Sequence, residues 1–425
     1  MFQQVPRGRE RLSWLLAAAW TLIIYATIPL ARTIQEYVSA HWGRLLFRDV
    51  VFSFVVLAAG GGALVVVRSV RSRSWSQYVW LAAVAAGYVF GTLQLWGSPE
   101  EALHFIEYGV LALLLFHAFS YRMRDPLIYV AAALAGAILG SFDEIIQWLT
   151  PRRFFDFRDI GLNTTAGVLM VVGISRGLRP PFICGPVPAR SVRLVCGIAA
   201  VQVAVLVACL MNTPRAVERY ASRLPRLEYL RQKPNVMSEY GYRHVDPDIG
   251  VFYSRFNLAD LEWMDKVRAK DAAAILDRYR NPKKYEAFLK RYTPASDPFV
   301  HEARVHLFRR DHYMAVAWKY KADEQVYRYH LTVALRENQI MEKYFGRTLR
   351  KSKYVLGDES VKELKRNLLP DHAYESGVSA GLITRFNRKE AAAGGFVLFV
   401  VLGWTAVYHG RWRPVNAGGD KHADA

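Results

Sequence analysis

Eight stretches of the chain, residues 12–31, 48–67, 78–97, 104–121, 126–148, 159–175, 194–211 and 391–408, are apolar over close to the length a helix needs to cross a bilayer. About 20 residues at 1.5 Å each span roughly 30 Å of hydrocarbon. In a chain of 425 residues that is 52% hydrophobic, apolar blocks of this length mean a polytopic membrane protein. Arg7, Arg9 and Arg11 precede the first block in the manner of a secretory signal. Its apolar stretch is too long for one, and no clean small-residue cleavage site follows, so it is read as a retained helix.

The loops set an expected orientation. Arg68, Arg71 and Arg73 follow the second block, Arg122 and Arg124 the fourth, and Arg411 and Arg413 the eighth; Arg176, Arg179, Arg190 and Arg193 separate the sixth from the seventh. These alternate loops fall on the side of the amino terminus, which the positive-inside rule makes cytoplasmic. Both termini are therefore expected inside a bacterial cytoplasmic membrane, with residues 212–390 outside. Cys184, Cys196 and Cys209 lie in or beside the membrane region, so the exported segment has no cysteine and no disulfide framework.

Three domains are expected: seven membrane helices over residues 1–211, a basic extracytoplasmic domain over 212–390, and a last membrane helix with a cytoplasmic tail over 391–425. The fold class is an all-α polytopic membrane bundle with an inserted extracytoplasmic α+β domain. In the insert, Leu261, Met264, Val267, Ile275 and Leu276 keep helical spacing after Asn257, and Pro282 opens a second helix. Ala303, Val305 and Leu307 then alternate with Arg304, His306 and Phe308, which predicts a strand with Arg304 on its polar face. Segments 313–318, 327–335 and 339–345, with turns at Arg310-Asp311 and Glu337-Asn338, extend this to a four-stranded antiparallel meander. A further helix is expected near 360–368, ending before Pro370.

The polar residues inside the apolar blocks are the candidates for chemistry, because unpaired charge in hydrocarbon costs about 2.5 to 3.5 kcal/mol on insertion scales. His104, Glu107 and Tyr108 stand at i, i+3 and i+4 on one helical face at the outer start of the fourth block. Asp143, Glu144 and Gln147 close the fifth block, and Asp159 and Asn163 open the sixth, all at the same outer depth. Pro151, Arg152, Arg153, Asp156 and Arg158 form the loop between them, interleaved with Phe154, Phe155 and Phe157. Arginine forks of this kind grip phosphate or neutralise neighbouring carboxylates. His104 with Glu107 suits proton transfer; with no Cys or second His beside the pair, no metal and no other cofactor is expected.

The pattern His104-x2-Glu107-Tyr108, then Asp143-Glu144-x2-Gln147-x3-Pro151-x-Arg153-x2-Asp156-x2-Asp159-x3-Asn163, resembles the signature of the VanZ-like membrane protein family, named for a teicoplanin-resistance protein. The resemblance covers roughly residues 80–175. It departs from the family at Ala166, where a glycine is usual, although Gly167 follows. It implies a glycopeptide-resistance-like envelope membrane protein of poorly defined activity. On this reading Arg152 and Arg153 hold phosphate, His104 and Glu107 bond sugar hydroxyls or move a proton, and Tyr108, Asp143, Glu144, Gln147, Asp156, Asp159 and Asn163 shape a pocket. Its ligand would be a phosphorylated or glycosylated lipid or cell-wall precursor, held among membrane lipids. The alternatives are a membrane hydrolase or transferase with Glu107 or His104 as general base, and an accessory subunit that docks an envelope protein through residues 212–390. Nucleic acid is excluded by the expected topology. The plain structural alternative for Asp143, Glu144, Arg153 and Asp159 is an ion-pair network stapling two helices.

Overall fold

The computed structural model describes residues 7–69, 74–151, 153–233, 235–294, 296–369 and 373–411. Two compact units emerge, one formed by Met1–Ala208 with Ala393–Ala425, the other by Cys209–Ala392.

The first unit holds α1 (Arg7–Thr27), α2 (Ala31–His41), α3 (Leu45–Ser69), α4 (Trp75–Gln94), α5 (Leu103–Phe119), α6 (Leu127–Leu149), α7 (Phe157–Val172) and most of α8 (Ala189–Met211). A 3-10 turn, Pro99–Ala102, leads into α5. Helix α5 is the centre of the bundle. Phe105, Leu111, Ala112 and Leu115 are buried along it, and it packs against α1, α6 and α7. Lipid tails are as apolar as leucine, so close approach at small residues has to hold such helices together. A methyl on Gly109 would lie 2.7 Å from the Tyr88 hydroxyl, and one on Gly140 would lie 3.0 Å from the Asn163 Cβ. The Tyr88 hydroxyl instead donates to the Ala166 carbonyl at 2.8 Å, while Gly167 meets the Ala112 methyl across α5 and α7. The unusual alanine is thus buried without losing the close helix contact.

Two expectations about the spans are corrected. The first span ends at Thr27 rather than 31, because Pro29 cannot continue the backbone ladder. The chain bends by 73° into α2. Among the described residues six helices are each long and apolar enough to cross a membrane, and the bent pair would count together as a seventh. Helix α4, the third expected span, is not among them, although it packs against α3 and α7 in the same bundle.

The second unit contains α9 (Pro214–Ala221), the hairpin β1 (Tyr242–Asp246) and β2 (Gly250–Ser254), then α10 (Leu258–Arg278), α11 (Tyr285–Arg291), α12 (Pro298–Lys319), α13 (Glu324–Tyr344), α14 (Gly346–Lys351) and α15 (Asp358–Arg366). Helix α16 (Arg388–Arg411) follows. The strands pair antiparallel with Asp246 opposite Gly250. The Asp246 carboxylate accepts from the Asp248 and Ile249 amides, and Gly250 takes a φ of 117° that a side chain would strain. The fold is a helical membrane bundle with an inserted α+β region, but its sheet is this hairpin and not the expected meander.

Residues 303–345 are α12 and α13, with Arg310-Asp311 and Glu337-Asn338 inside the helices. The helical period is carried by Phe299, Val300, Ala303 and Leu307, and by Leu331, Leu335 and Ile340, all buried. It was disguised because Glu302, His306 and Arg310, at i, i+4 and i+8, are also buried on α12. Each has partners. Glu302 accepts from Ser254 at 2.7 Å and pairs with Arg255, while Arg310 donates to Asn338 and to the Tyr354 carbonyl. Arg304, expected on a solvated strand face, is 2% exposed and lies 4.7 Å from the Tyr285 ring centre and 5.6 Å from that of Tyr354. Aromatic faces stabilise that guanidinium where water does not reach it.

At the middle of the α12 and α13 contact, Glu337 is fully buried. It lies 2.6 Å from His306 Nδ1 and 2.7 Å from Arg309, and accepts from Tyr374 at 2.6 Å and Ser376 at 2.9 Å. Burial alone would raise its carboxyl, but His306, Tyr374 and Arg309 together hold it below the ordinary carboxylate range. Glu337→Ala strands those partners and should cost about 3 to 5 kcal/mol. Hydrogen exchange of α12 and α13 amides in the full-length protein reads this loss; a change below about 1 kcal/mol would contradict it. Because the folded form favours the ionised carboxylate, its contribution should be complete above the ordinary glutamate value of about 4.3 and fade as pH falls below it.

Candidate functional site

Three helix termini and the bent helix α2 enclose a cavity of about 440 Å3 within the first unit. His104 and Glu107 line it from the first turn and a half of α5, with His104 Nδ1 3.1 Å from Glu107 Oε2. The backbone of the same turn is braced by Trp20 of α1, whose indole donates to the Glu107 carbonyl at 2.9 Å. Gln147 lines the cavity from the end of α6, Arg153 and Asp156 from the following loop, and Asp159 from the first turn of α7.

Behind the lining lies a buried layer. The Tyr108 hydroxyl donates to Asp143 at 2.9 Å, which ties α5 to α6. Glu144 accepts from Gln147 Nε2 at 2.6 Å and from the Asp156 amide at 3.0 Å, and Arg153 donates to the Gln147 side-chain oxygen Oε1. One carboxylate therefore fixes both the last turn of α6 and the loop entering α7. Asp156 then caps α7 by accepting from the Arg158 amide at 2.7 Å. Asn163, 1% exposed, packs over Gly140 with neither end of its amide hydrogen-bonded, and one oxygen of Asp143 is likewise unpartnered. Buried polar groups without a partner are uncommon in folded proteins.

The structure thus brings together His104, Glu107, Tyr108, Asp143, Glu144, Gln147, Arg153, Asp156, Asp159 and Asn163. Arg152 lies outside the described residues. Sequence reasoning missed Glu100, Glu101, Arg32 and Gln35, which also line the cavity, and left Arg158 as a loop residue. Gln35 of α2 donates to Glu100 at 2.6 Å, Arg44 reaches the same carboxylate at 2.8 Å, and Arg158 pairs with Glu101. A signal was present: Glu100 and Glu101 stand four and three residues before His104, so a helix continued one turn upstream carries them onto its face.

The lining holds five carboxylates, Glu100, Glu101, Glu107, Asp156 and Asp159, against three guanidiniums, Arg32, Arg153 and Arg158. Arg158 is already committed to Glu101 and lies 3.7 Å from Asp159, while Arg32 lies 3.5 Å from Glu36. Such a lining accepts hydrogen bonds more readily than it neutralises an anion. Among the described residues no group of three or more His, Cys, Asp and Glu is arranged to hold a metal ion.

The family model described as VanZ/LLP1 matches residues 14–178, which extends the likeness from the polar signature back through the first three helices. Neither the curated proteins nor the solved structures contain a match to the chain. The match covers every residue that lines the cavity, and four of the helices that contribute to the lining, α3, α5, α6 and α7, are of membrane-spanning length. The chain is therefore a multi-pass membrane protein built on a VanZ-like domain, residues 14–178, with a second folded unit inserted before its last membrane helix.

Proposed function

We propose that this is a cell-envelope protein of the bacterial cytoplasmic membrane, with both termini inside, whose cavity receives the hydroxyl-rich head of a glycosylated lipid or lipid-linked cell-wall precursor. The excess of carboxylates in the lining carries this reading. Carboxylates and the Gln147 and Gln35 amides accept from sugar hydroxyls, and an aqueous polyol head has enough such donors to offset their desolvation. A phosphate would meet the same carboxylates as like charges, which disfavours a ligand held mainly by phosphate. Arg153, which the Gln147 amide orients, is then the group that would meet an anionic linkage at the edge of the head.

A second reading has its own support. His104 and Glu107 form a hydrogen-bonded pair facing the cavity, the arrangement a general base needs, so a hydrolase or transferase acting on the same lipid head is the enzymatic version of the site. Residues 212–390, placed outside, would engage a headgroup, polymer or protein partner of the envelope.

Two experiments test the proposal. The full-length protein extracted with its surrounding lipid should carry a hydroxyl-rich lipid above its bulk abundance, read by mass spectrometry. Glu107→Gln should lower that enrichment about tenfold, since a hydrogen bond to a charged group is worth roughly 1.5 to 3 kcal/mol, with unchanged thermal unfolding. An identical lipid profile for wild type and variant would remove the pocket reading. For the orientation, an impermeant maleimide should label Ser296→Cys in intact cells but reach the exposed native Cys184 only after permeabilisation. Labelling of both from one side would overturn it.

A further inference from the structure

The second unit contains a separate cavity of about 670 Å3, every lining residue of which falls within Cys209–Ala392. Its walls come from two chain segments that pair edge to edge. The Gly241 amide donates to the Ile383 carbonyl at 3.0 Å, and the Ile383 amide donates to the Glu239 backbone carbonyl at 2.8 Å. A methyl on Gly241 would collide with Leu382 and the Ser254 carbonyl, so only glycine allows this approach. The pairing sets Glu239–Tyr242 beside Thr384–Arg388. Tyr240 and Phe386 meet edge to face with ring centres 6.4 Å apart.

Besides Arg255, which is committed to Glu239 and Glu302, three arginines line this cavity, Arg215, Arg385 and Arg388, and all three are exposed. None has a carboxylate partner among the described residues. The acids in the lining are committed elsewhere. Glu239 pairs with Arg255, and Glu390 accepts from the Asn387 amide at 2.8 Å as half of the cap that starts α16. Tyr242, 47% exposed, and Phe386, 40% exposed, add aromatic edges to the rim.

The position along the chain gives this combination its meaning. Arg215 stands four residues after the membrane-length helix Ala189–Met211 ends, and Arg385 and Arg388 stand where the next one, Arg388–Tyr408, begins. Both chain connections to the flanking membrane-length helices therefore meet at this cavity. Residues a few positions from a span end lie at headgroup level, where aromatic rings settle and where the lipid phosphates are. A guanidinium offers phosphate two parallel hydrogen bonds, which an ammonium does not.

We propose that this cavity binds the phosphate of an anionic membrane lipid, with Arg215, Arg385 and Arg388 as its ligands and Tyr242 and Phe386 against the headgroup edge. Binding would fasten the inserted unit to the membrane surface where its two connections enter. The assignment is independent of the cavity around His104, which is in the other unit and where carboxylates outnumber guanidiniums.

The test uses the full-length protein in detergent, titrated with phosphatidylglycerol or phosphatidylcholine and read by native mass spectrometry. Wild type should retain phosphatidylglycerol about tenfold better than phosphatidylcholine. Combined Arg215→Gln, Arg385→Gln and Arg388→Gln should abolish the preference. The charge-matched control Arg278→Gln, Arg291→Gln and Arg366→Gln, at exposed positions outside the cavity, should keep it. If the triple variant does not fold, Arg215→Gln alone should reduce the preference several-fold. Equal retention of the two lipids by wild type, or equal loss in both triple variants, would overturn the proposal. Displacement of phosphatidylglycerol by millimolar inorganic phosphate, or by polygalacturonate, would overturn the lipid assignment in favour of a free anion or an acidic polymer.

Discussion

Glu144 is the residue on which the membrane site depends. Fully buried at the end of α6, it accepts from Gln147 one turn on and from the Asp156 amide across the loop, and Gln147 in turn holds Arg153. The loop between α6 and α7 has a proline at 151 and, among its described residues, no regular structure before Phe157, so this carboxylate supplies fixed points for it. Asp156 is then placed to cap α7, and Arg153, Phe154 and Asp156 face one cavity. A buried carboxylate tolerates its desolvation only with such partners, which explains why the surrounding residue types come as a set.

The two units use buried charge in opposite ways. In the inserted unit His306 and Glu337 form a pair 2.6 Å apart, 1% and 0% exposed, with Tyr374, Ser376 and Arg309 completing the shell. Both oxygens of Glu337 have partners and the pair itself is sealed from solvent, which is the pattern of a structural network. His104 and Glu107 form a similar pair at 3.1 Å, but both line a cavity, with the unpartnered atoms of Asp143 and Asn163 in the helices behind. A histidine beside a carboxylate is thus informative only together with access and with the satisfaction of its neighbours.

Much of the membrane unit was legible because two independent signals coincided. Arginine-rich loops and acid-rich helix ends alternated, and the i, i+3, i+4 spacing of His104, Glu107 and Tyr108 put three groups on one face. Helix α2 was not legible, since an apolar count runs straight through Ile28, Pro29 and Leu30 and only the proline marks the 73° bend. The acidic pair Glu100 and Glu101 was passed over because it sits just before the apolar block, although it supplies two of the five carboxylates in the cavity. In the inserted unit the short alternation at Ala303 to Phe308 imitated a strand. Buried Glu302, His306 and Arg310 broke the apolar stripe of α12, and a pattern that counts only apolar residues misplaces any helix whose polar residues are paired inside.

Density for a bound lipid in the cavity around His104 would decide whether that cavity receives a lipid head. A cryo-electron microscopy map of the full-length protein in lipid discs prepared from its own membrane should show a hydrophilic head with oxygens about 2.6 to 3.2 Å from Glu107 and Glu101. An acyl chain lying in that cavity, or ordered lipids elsewhere on the bundle and none there, would contradict it.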